Sequence, residues 1–243
     1  MRIEAGADPD TIEGVRRLAF RRAPASYDEA FVETMAAAYL DRTPWTRLRL
    51  EAVEALVQPR PGDRVLDLGC AAGALTDFLA RRGCDVVGVD SEPRAIEKAR
   101  SLFPELRFDE ADVAALPFSA GAFDKAVAGD LVEHLDEKTF VAMLAEVRRV
   151  LVPEGVLSIY APNPLHVIER LKARNLLLAQ NPTHIGLRTA GQLAALLERN
   201  GFTVERNDWR PSFFRGLRRV ERLLGPHVES LRYRLCIRAV ARA

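Results

Sequence analysis

The chain has only three cysteines, Cys70, Cys84 and Cys236, and their spacing gives neither a disulfide framework nor a zinc-ligand pattern. It has no run of about 18 apolar residues, which excludes a transmembrane helix. Its first residues, MRIEAGADPD, lack the apolar core of a secretory signal. It also lacks a strong charge of one sign: 35 Lys and Arg stand against 34 Asp and Glu. No overall field therefore draws it toward nucleic acid or an anionic membrane. Lysine is scarce too, with four (Lys98, Lys125, Lys138, Lys172) among the 35 cations. The arginines are scattered along the whole chain, which fits a codon bias better than a phosphate-recognition surface. These absences point to a reducing, cytoplasmic setting.

What is present is a well-supplied core: 48% of the 243 residues are hydrophobic, enough for one domain with elaborations. Residues 1 to about 26 are polar and read as a loosely held arm. From Tyr27 to Val57 apolar residues recur at helical spacing, with Thr43-Pro44 separating two helices. From Arg64 onward, short strands and helices alternate. Strands are expected at Arg64–Leu68, Asp85–Val89, Arg107-Phe108, Phe123–Ala128, Val156–Ala161, Phe202–Arg206 and Leu235–Val240. A helix at Ala74–Arg82 closes at Gly83, and the next carries Pro93 in its first turn and stops at Pro104. Phe140, Val141, Leu144, Val147 and Leu151 share one helical face, broken by Pro153-Glu154-Gly155. Thr189 and Gln192 have the spacing of a capping box, and Asn200-Gly201 ends that helix. Such alternation calls for a mostly parallel sheet covered on both faces.

The expected organisation is a helical extension over residues 1–58 and an α/β domain over 59–243, with cap insertions at 162–188 and 207–233. Long insertions of this kind tend to serve as lids.

In an open α/β sheet, ligands bind at the carboxyl ends of strands where the strand order reverses. The loop after the first strand is Asp67-Leu-Gly69-Cys70-Ala71-Ala-Gly73. Its glycines allow a tight turn and close backbone approach to a ligand. Their spacing is not that of the dinucleotide motif G-x-G-x-x-G. A carboxylate at Asp67 would repel a pyrophosphate and attract the ammonium of an amino-acid moiety. Asp90 closes the strand VVGVD 23 residues later, where an acid accepts hydrogen bonds from ribose hydroxyls; its alternative role is to cap the following helix.

VLDLGCAAG and VVGVD, in this order, resemble the first two motifs of the class I S-adenosylmethionine-dependent methyltransferases. DEADVAALPFSAGAFDKAVAGDLVEHL resembles their stretch from the third strand to the end of the fourth. EVRRVLVPEGVLSIYAPNP is similar to their path through strand five, and THIGLRTAGQLAALLERNGFTV is a fainter match. The resemblance implies a Rossmann-like, seven-stranded, mostly parallel sheet with helices on both faces and a helical cap. It implies S-adenosylmethionine as cofactor, held by Asp67, Gly69, Cys70, Ala71, Gly73, Asp90, Ser91, Asp112, Val113 and Asp130. In that arrangement Asp112 accepts from the adenine amino group, Val113 lines the adenine pocket, and Asp130 lies beside the methionine part. The family usually has glycine where this chain has Ala71, which hinders the closest backbone approach.

Methyl transfer from a sulfonium asks mainly for alignment, with a general base where the acceptor is a hydroxyl. His134, in Glu133-His134-Leu135, is the candidate base, and relatives that O-methylate quinone precursors carry a similar motif. Its alternative is a structural helix-capping role. His166 and His184 flank the first insertion and could face the acceptor, with solvent-facing placement the better reading of each, and Asn163 could orient a substrate hydroxyl or belong to a rigid turn. The basic amphipathic stretch 213–224 places Phe214, Leu217, Val220 and Leu224 on one face. It reads best as a lid with solvated arginines, with transient contact to a membrane surface as the alternative.

The expected activity is O-methylation of a small molecule such as a sugar, quinone or lipid-linked intermediate. A nucleic-acid methyltransferase is disfavoured because the site after strand four reads Ala-Gly-Asp-Leu and no cysteine follows a proline. A NAD-dependent oxidoreductase is disfavoured by Asp67 and the glycine spacing. A non-catalytic nucleoside-binding module is the remaining alternative.

Overall fold

The computed structural model describes residues 43–174, 176 and 181–242, together with Ala36, Ala37 and Tyr39. The polar arm over residues 1–26 lies outside the described residues, as does most of the first of the two helices read between Tyr27 and Val57.

Helix α1 (Pro44–Val57) starts as its sequence dictates: Pro44 occupies the first helical turn and the Thr43 hydroxyl accepts from the Thr46 amide. Then follow β1 (Arg64–Leu68), α2 (Ala74–Ala80), β2 (Asp85–Asp90), α3 (Pro93–Leu102), β3 (Arg107–Glu110), β4 (Phe123–Gly129), α4 (Glu137–Val150) and β5 (Leu151–Pro162). The chain continues through α5 (Val167–Ala173), α6 (Ala190–Arg199), β6 (Phe202–Arg210), α7 (Arg215–Leu224) and β7 (Arg234–Ala241).

The seven strands form one sheet in the order β3-β2-β1-β4-β5-β7-β6. All neighbours are parallel except β7, which runs antiparallel to both β5 and β6. The chain moves outward from β1 to β3, then returns to lay β4 on the other side of β1. That reversal opens a crevice at the carboxyl ends of β1 and β4.

The central strands read as unbroken apolar runs because both their faces are covered. Phe140, Met143, Leu144 and Val147 from α4, with Leu193 and Leu197 from α6, pack on one face. Val53, Leu56 and Val57 from α1, with Leu75 and Leu79 from α2, cover the other. Each such side chain contributes roughly 1.5–3 kcal/mol through burial. The capping box forms as read: Thr189 accepts from the Gln192 amide, and Gln192 accepts from the Thr189 amide.

Two boundaries differ from the sequence reading. The fourth helix ends at Val150, and Leu151 opens β5 by pairing with Phe123 across a register shift. Pro153-Glu154-Gly155 is therefore an irregularity within the strand rather than a helix breaker, with Glu154 at φ 61°. Sheet pairing overrides the helical period there, and Met143 takes the buried place expected of Val141. The last strands are longer than expected, and β6 runs to Arg210 before the second insertion leaves the sheet.

Candidate active site at the carboxyl ends of β1, β2 and β4

The loop after β1 turns sharply through three left-handed residues: Gly69 (φ 68°), Ala71 (φ 48°) and Gly73 (φ 83°). A Cβ on Gly69 would lie 2.8 Å from Leu131, and one on Gly73 would lie 2.7 Å from the Phe108 ring. Both positions thus need glycine for space as well as for conformation. Ala71 adopts the same region despite its methyl group, a strain of about 1–2 kcal/mol. One counterweight is visible: the Ala71 amide donates to Asp90 Oδ2 at 2.9 Å. The other Asp90 oxygen accepts from the Glu92 amide at 3.0 Å. Asp90 therefore ties the glycine loop to the start of α3, and burial pushes its carboxyl above the usual aspartate range. The helix-capping and ligand-binding readings of Asp90 are compatible, since it does the first from where the second would occur.

Asp67 is placed differently from the expectation of a carboxylate facing the ligand. Its side chain is buried beneath the loop and accepts from the Thr76 hydroxyl at 2.7 Å. Burial raises its pKa to about 7, against the pull of the Thr76 bond and the Arg49 charge. Cys70 is buried with its amide donating to the Val89 carbonyl, so it serves as a rung between β1 and β2. Ser91 is exposed at the end of β2. Asp112 is exposed and accepts from the Ala114 amide at 2.8 Å, forming a tight local turn, while Val113 beside it is buried. Ala36 packs on Ala72 and Ala95, beside the glycine loop.

Asp130, one residue past β4, stands at φ 56° with its amide donating to the Tyr160 carbonyl. Arg49 Nε from α1 donates to Asp130 Oδ2 at 2.6 Å, and Arg49 Nη2 reaches the Gly129 carbonyl at 2.9 Å. Arg234 at the start of β7 approaches Asp130 Oδ1 at 3.3 Å. The Arg234 and Arg49 charges hold the Asp130 carboxyl below the usual range despite its burial. Neither arginine was singled out by sequence, because one arginine among 31 carries no local signal. Only the sheet order brings α1, β4 and β7 together.

The turn Val132–His134 follows, and here the structure groups residues the sequence holds far apart. His134 Nδ1 lies 3.1 Å from the Thr183 carbonyl, and its ring meets that of His184 edge-on at 4.9 Å. Buried Glu133 lies within the same group: donor atoms of Glu133, His134 and His184 are all within 4.8 Å of one another. Burial and the Asp130 charge push Glu133 up to about 8, and burial pulls His134 below the ordinary histidine value and His184 down to about 4. At neutral pH the trio is largely uncharged, and the Arg234 charge further disfavours the charged form of His184. Arg188 fixes the arrangement by donating to the Val132, Leu135 and Gly186 carbonyls at 2.7–2.9 Å.

Two candidate site residues turn out to be structural. Asn163 is fully buried; its side-chain amide donates to the Glu229 and Arg232 carbonyls, and its carbonyl accepts from the Leu165 amide. His166 is fully buried; its Nδ1 accepts from the Ile168 amide and its Nε2 faces Glu221 at 3.0 Å.

The residues present fit S-adenosylmethionine: a sharp backbone turn that only small residues allow, an acid at the end of β2, and a buried apolar residue beside Asp112. Comparison with known proteins agrees. Residues 65–155 match the family described as a methyltransferase domain. The chain is 32% identical to a probable S-adenosylmethionine-dependent methyltransferase of Mycolicibacterium smegmatis, over 66% of this chain and 60% of that protein. It is 34% identical to a ubiquinone biosynthesis O-methyltransferase of Xanthomonas axonopodis pv. citri, over 48% of this chain and 49% of that one. A TehB-like S-adenosylmethionine-dependent methyltransferase of Corynebacterium glutamicum shares the fold, with a TM-score of 0.62 at 22% identity over 88% of this chain and 100% of that one. The chain spans between 45% and 60% of the length of the curated relatives it matches first. The fold and loop define the Rossmann-like α/β class. The chain carries a methyltransferase domain of the class I, S-adenosylmethionine-dependent kind.

Proposed function

We propose that this chain is an enzyme that methylates an oxygen of a small-molecule acceptor, with His134 taking the acceptor's proton. The observation that carries this reading is the hydrogen bond between His134 Nδ1 and the Thr183 carbonyl. A carbonyl can only accept, so Nδ1 bears the hydrogen and Nε2 keeps the lone pair. Burial keeps the ring neutral, which is the form a general base needs at neutral pH.

S-adenosylmethionine supplies the electrophilic methyl group when bound. The Gly69–Gly73 backbone and Asp90 would hold its nucleoside portion, with Asp112 and Val113 beside the adenine. Asp130, fixed by Arg49 and Arg234, would sit near its amino-acid portion. Thr183, Arg188 and the turn at 132–134 set the direction of the His134 ring. Alignment of this sort supplies up to about 7–11 kcal/mol in well-oriented reactions. The oxygen preference draws on His134 and on the O-methyltransferase named among the relatives. The acceptor itself belongs to the class of hydroxyl-bearing sugars, quinone precursors or lipid-linked intermediates.

The test is release of S-adenosylhomocysteine from S-adenosylmethionine across a panel of phenolic and sugar hydroxyl acceptors. His134→Ala should lower kcat by about 10²–10⁴-fold. Affinity for S-adenosylhomocysteine, measured by calorimetry, should change less than about two-fold, since the ring lies outside the nucleoside cradle. Because the His134 pKa is lowered, the acid limb of the rate profile should fall below pH 6.5. Full turnover by His134→Ala would remove it as the base. Stabilisation by NADH and not by S-adenosylhomocysteine in a thermal shift would remove the methyltransferase reading itself.

A further inference from the structure

Among the described residues, the exposed large apolar side chains all lie in the two inserted segments, 162–188 and 207–233. The same segments carry ten Lys and Arg against four Asp and Glu, while the rest of the chain carries 25 against 30. Two of those four acids, Glu169 and Glu221, are buried. A chain that is neutral as a whole thus has two strongly basic inserted segments, and these also carry the exposed large apolar side chains found among the described residues.

Helix α7 shows how the two properties meet. The sequence placed Phe214, Leu217, Val220 and Leu224 on one face packing as a lid over the site, yet the side chain at the centre of the buried face is Glu221. It accepts from the Ser212 amide at 2.5 Å and faces His166 Nε2 at 3.0 Å, both within a fully buried setting. This pairing turns the apolar row outward: Val220 is 44%, Leu223 74% and Leu224 43% exposed. At 3.6 residues per turn these three fall within an arc of roughly 100°. Arg219 and Arg222, both exposed, lie together along the Leu223 side of the arc, the other side being the buried face at Glu221, and exposed Val228 follows in the turn after the helix. The two segments act as one unit, joined by the His166–Glu221 pair and by the bonds from Asn163 to the Glu229 and Arg232 carbonyls. A lid would have its apolar row beneath it; this helix carries it on top.

We propose that the outer face of α7 and the turn after it rest on an anionic lipid surface. Val220, Leu223, Leu224 and Val228 enter the acyl boundary, and Arg219 and Arg222 lie at the phosphate level. An apolar row with a basic row beside it on the outer face is what an interfacial helix needs. A second copy of the chain fits the face less well, since a two-fold pairing would set arginine against arginine. No helix of the described chain is long and apolar enough to cross a membrane, so the contact is peripheral. Resting on the methyl-transfer reading, the acceptor class narrows to a hydroxyl-bearing amphiphile held in that surface.

The experiment is co-flotation of the full chain with phosphatidylcholine vesicles, with and without phosphatidylglycerol. Binding is expected only with phosphatidylglycerol, and it should weaken as salt rises. Leu223→Asp, at an exposed position, should lower partition at least about ten-fold. Arg219→Ala and Arg222→Ala should lower it by about five-fold each. Calorimetry with S-adenosylhomocysteine on the same preparations keeps the two readings apart: lost vesicle binding with intact nucleoside binding overturns the docking face alone, and the converse overturns the methyl-transfer reading alone. No partition at low salt, or partition indifferent to Leu223→Asp, overturns the proposal. So does a concentration-dependent dimer abolished by Leu223→Asp, which assigns the face to a second copy. Capture by single-stranded RNA in preference to vesicles, unaffected by Leu223→Asp, overturns it as well.

Discussion

The cradle after β1 and the cap built from the two insertions are made in opposite ways. In the cradle, Gly69, Ala71 and Gly73 sit within a few positions of one another and turn the backbone, and Asp90 from the end of the next strand pins the turn. In the cap, the decisive bonds join residues tens of positions apart, such as His166 to Glu221 and Asn163 to Arg232. The cradle is a local device set into a rigid sheet. The cap is a tertiary device whose orientation rests on one buried acid. A backbone turn can be specified by a short motif, whereas a surface built from distant segments needs the whole fold to aim it.

The comparison is tested most strongly at Glu221. Glu221→Ala would leave the His166 and Ser212 donors buried without partners, at a cost of about 3–5 kcal/mol to the cap. Hydrogen exchange over 211–233 should speed up sharply while affinity for S-adenosylhomocysteine holds within about two-fold. Equal loosening of β1–β4 would show that cap and cradle are one cooperative unit after all.

In the cradle, Gly73→Ala should cost about 2–4 kcal/mol in denaturant unfolding, because the new methyl would meet Phe108 in a left-handed backbone. Protection of the cap amides should change little. Asp90→Ala comes next, with about 1.5–3 kcal/mol lost from S-adenosylhomocysteine binding by calorimetry. Unchanged affinity would leave Asp90 as a loop tie and nothing more.

A further effect is read from pH. Asp67 is neutralised more easily in the folded chain than in the unfolded one, since its pKa rises from 3.8 to about 7. The unfolded state therefore binds fewer protons between these values, and stability falls as pH rises across the window. The slope from this one group is at most about 1.4 kcal/mol per pH unit. Asp67→Asn should flatten the profile between pH 4 and 7, and an unaltered slope would place the titration elsewhere.

Much of the fold was legible. β1 was read to the residue, and the capping box at Thr189 and Gln192 formed as its spacing required. Leu151–Gly155 was misread because a helical period continued into residues that pair with β4, and only the neighbouring strand shows that the pairing wins. In the site, the glycine loop and Asp90 were legible as a motif. Asp67 was recognised but its direction was not, since the hydroxyl that claims it lies nine residues on and the loop buries both. Arg49 and Arg234 were invisible, because each reaches Asp130 from an element with no motif of its own, and Arg188 was not singled out within its quoted segment because its carbonyl partners at Val132 and Leu135 lie more than 50 residues away.

The sequence alone determined what can be written within a few residues: where strands and helices alternate, where the backbone must turn left-handed, and which acid follows the second strand. These depend on local sterics and hydrogen bonding, which the neighbours in the chain supply. The tertiary structure decided which charges meet, that Asp130 is gripped by two arginines, that His134 finds Thr183 and His184, and that Glu221 turns the apolar row of α7 outward. Those outcomes depend on distances between segments, and only the folded sheet sets them.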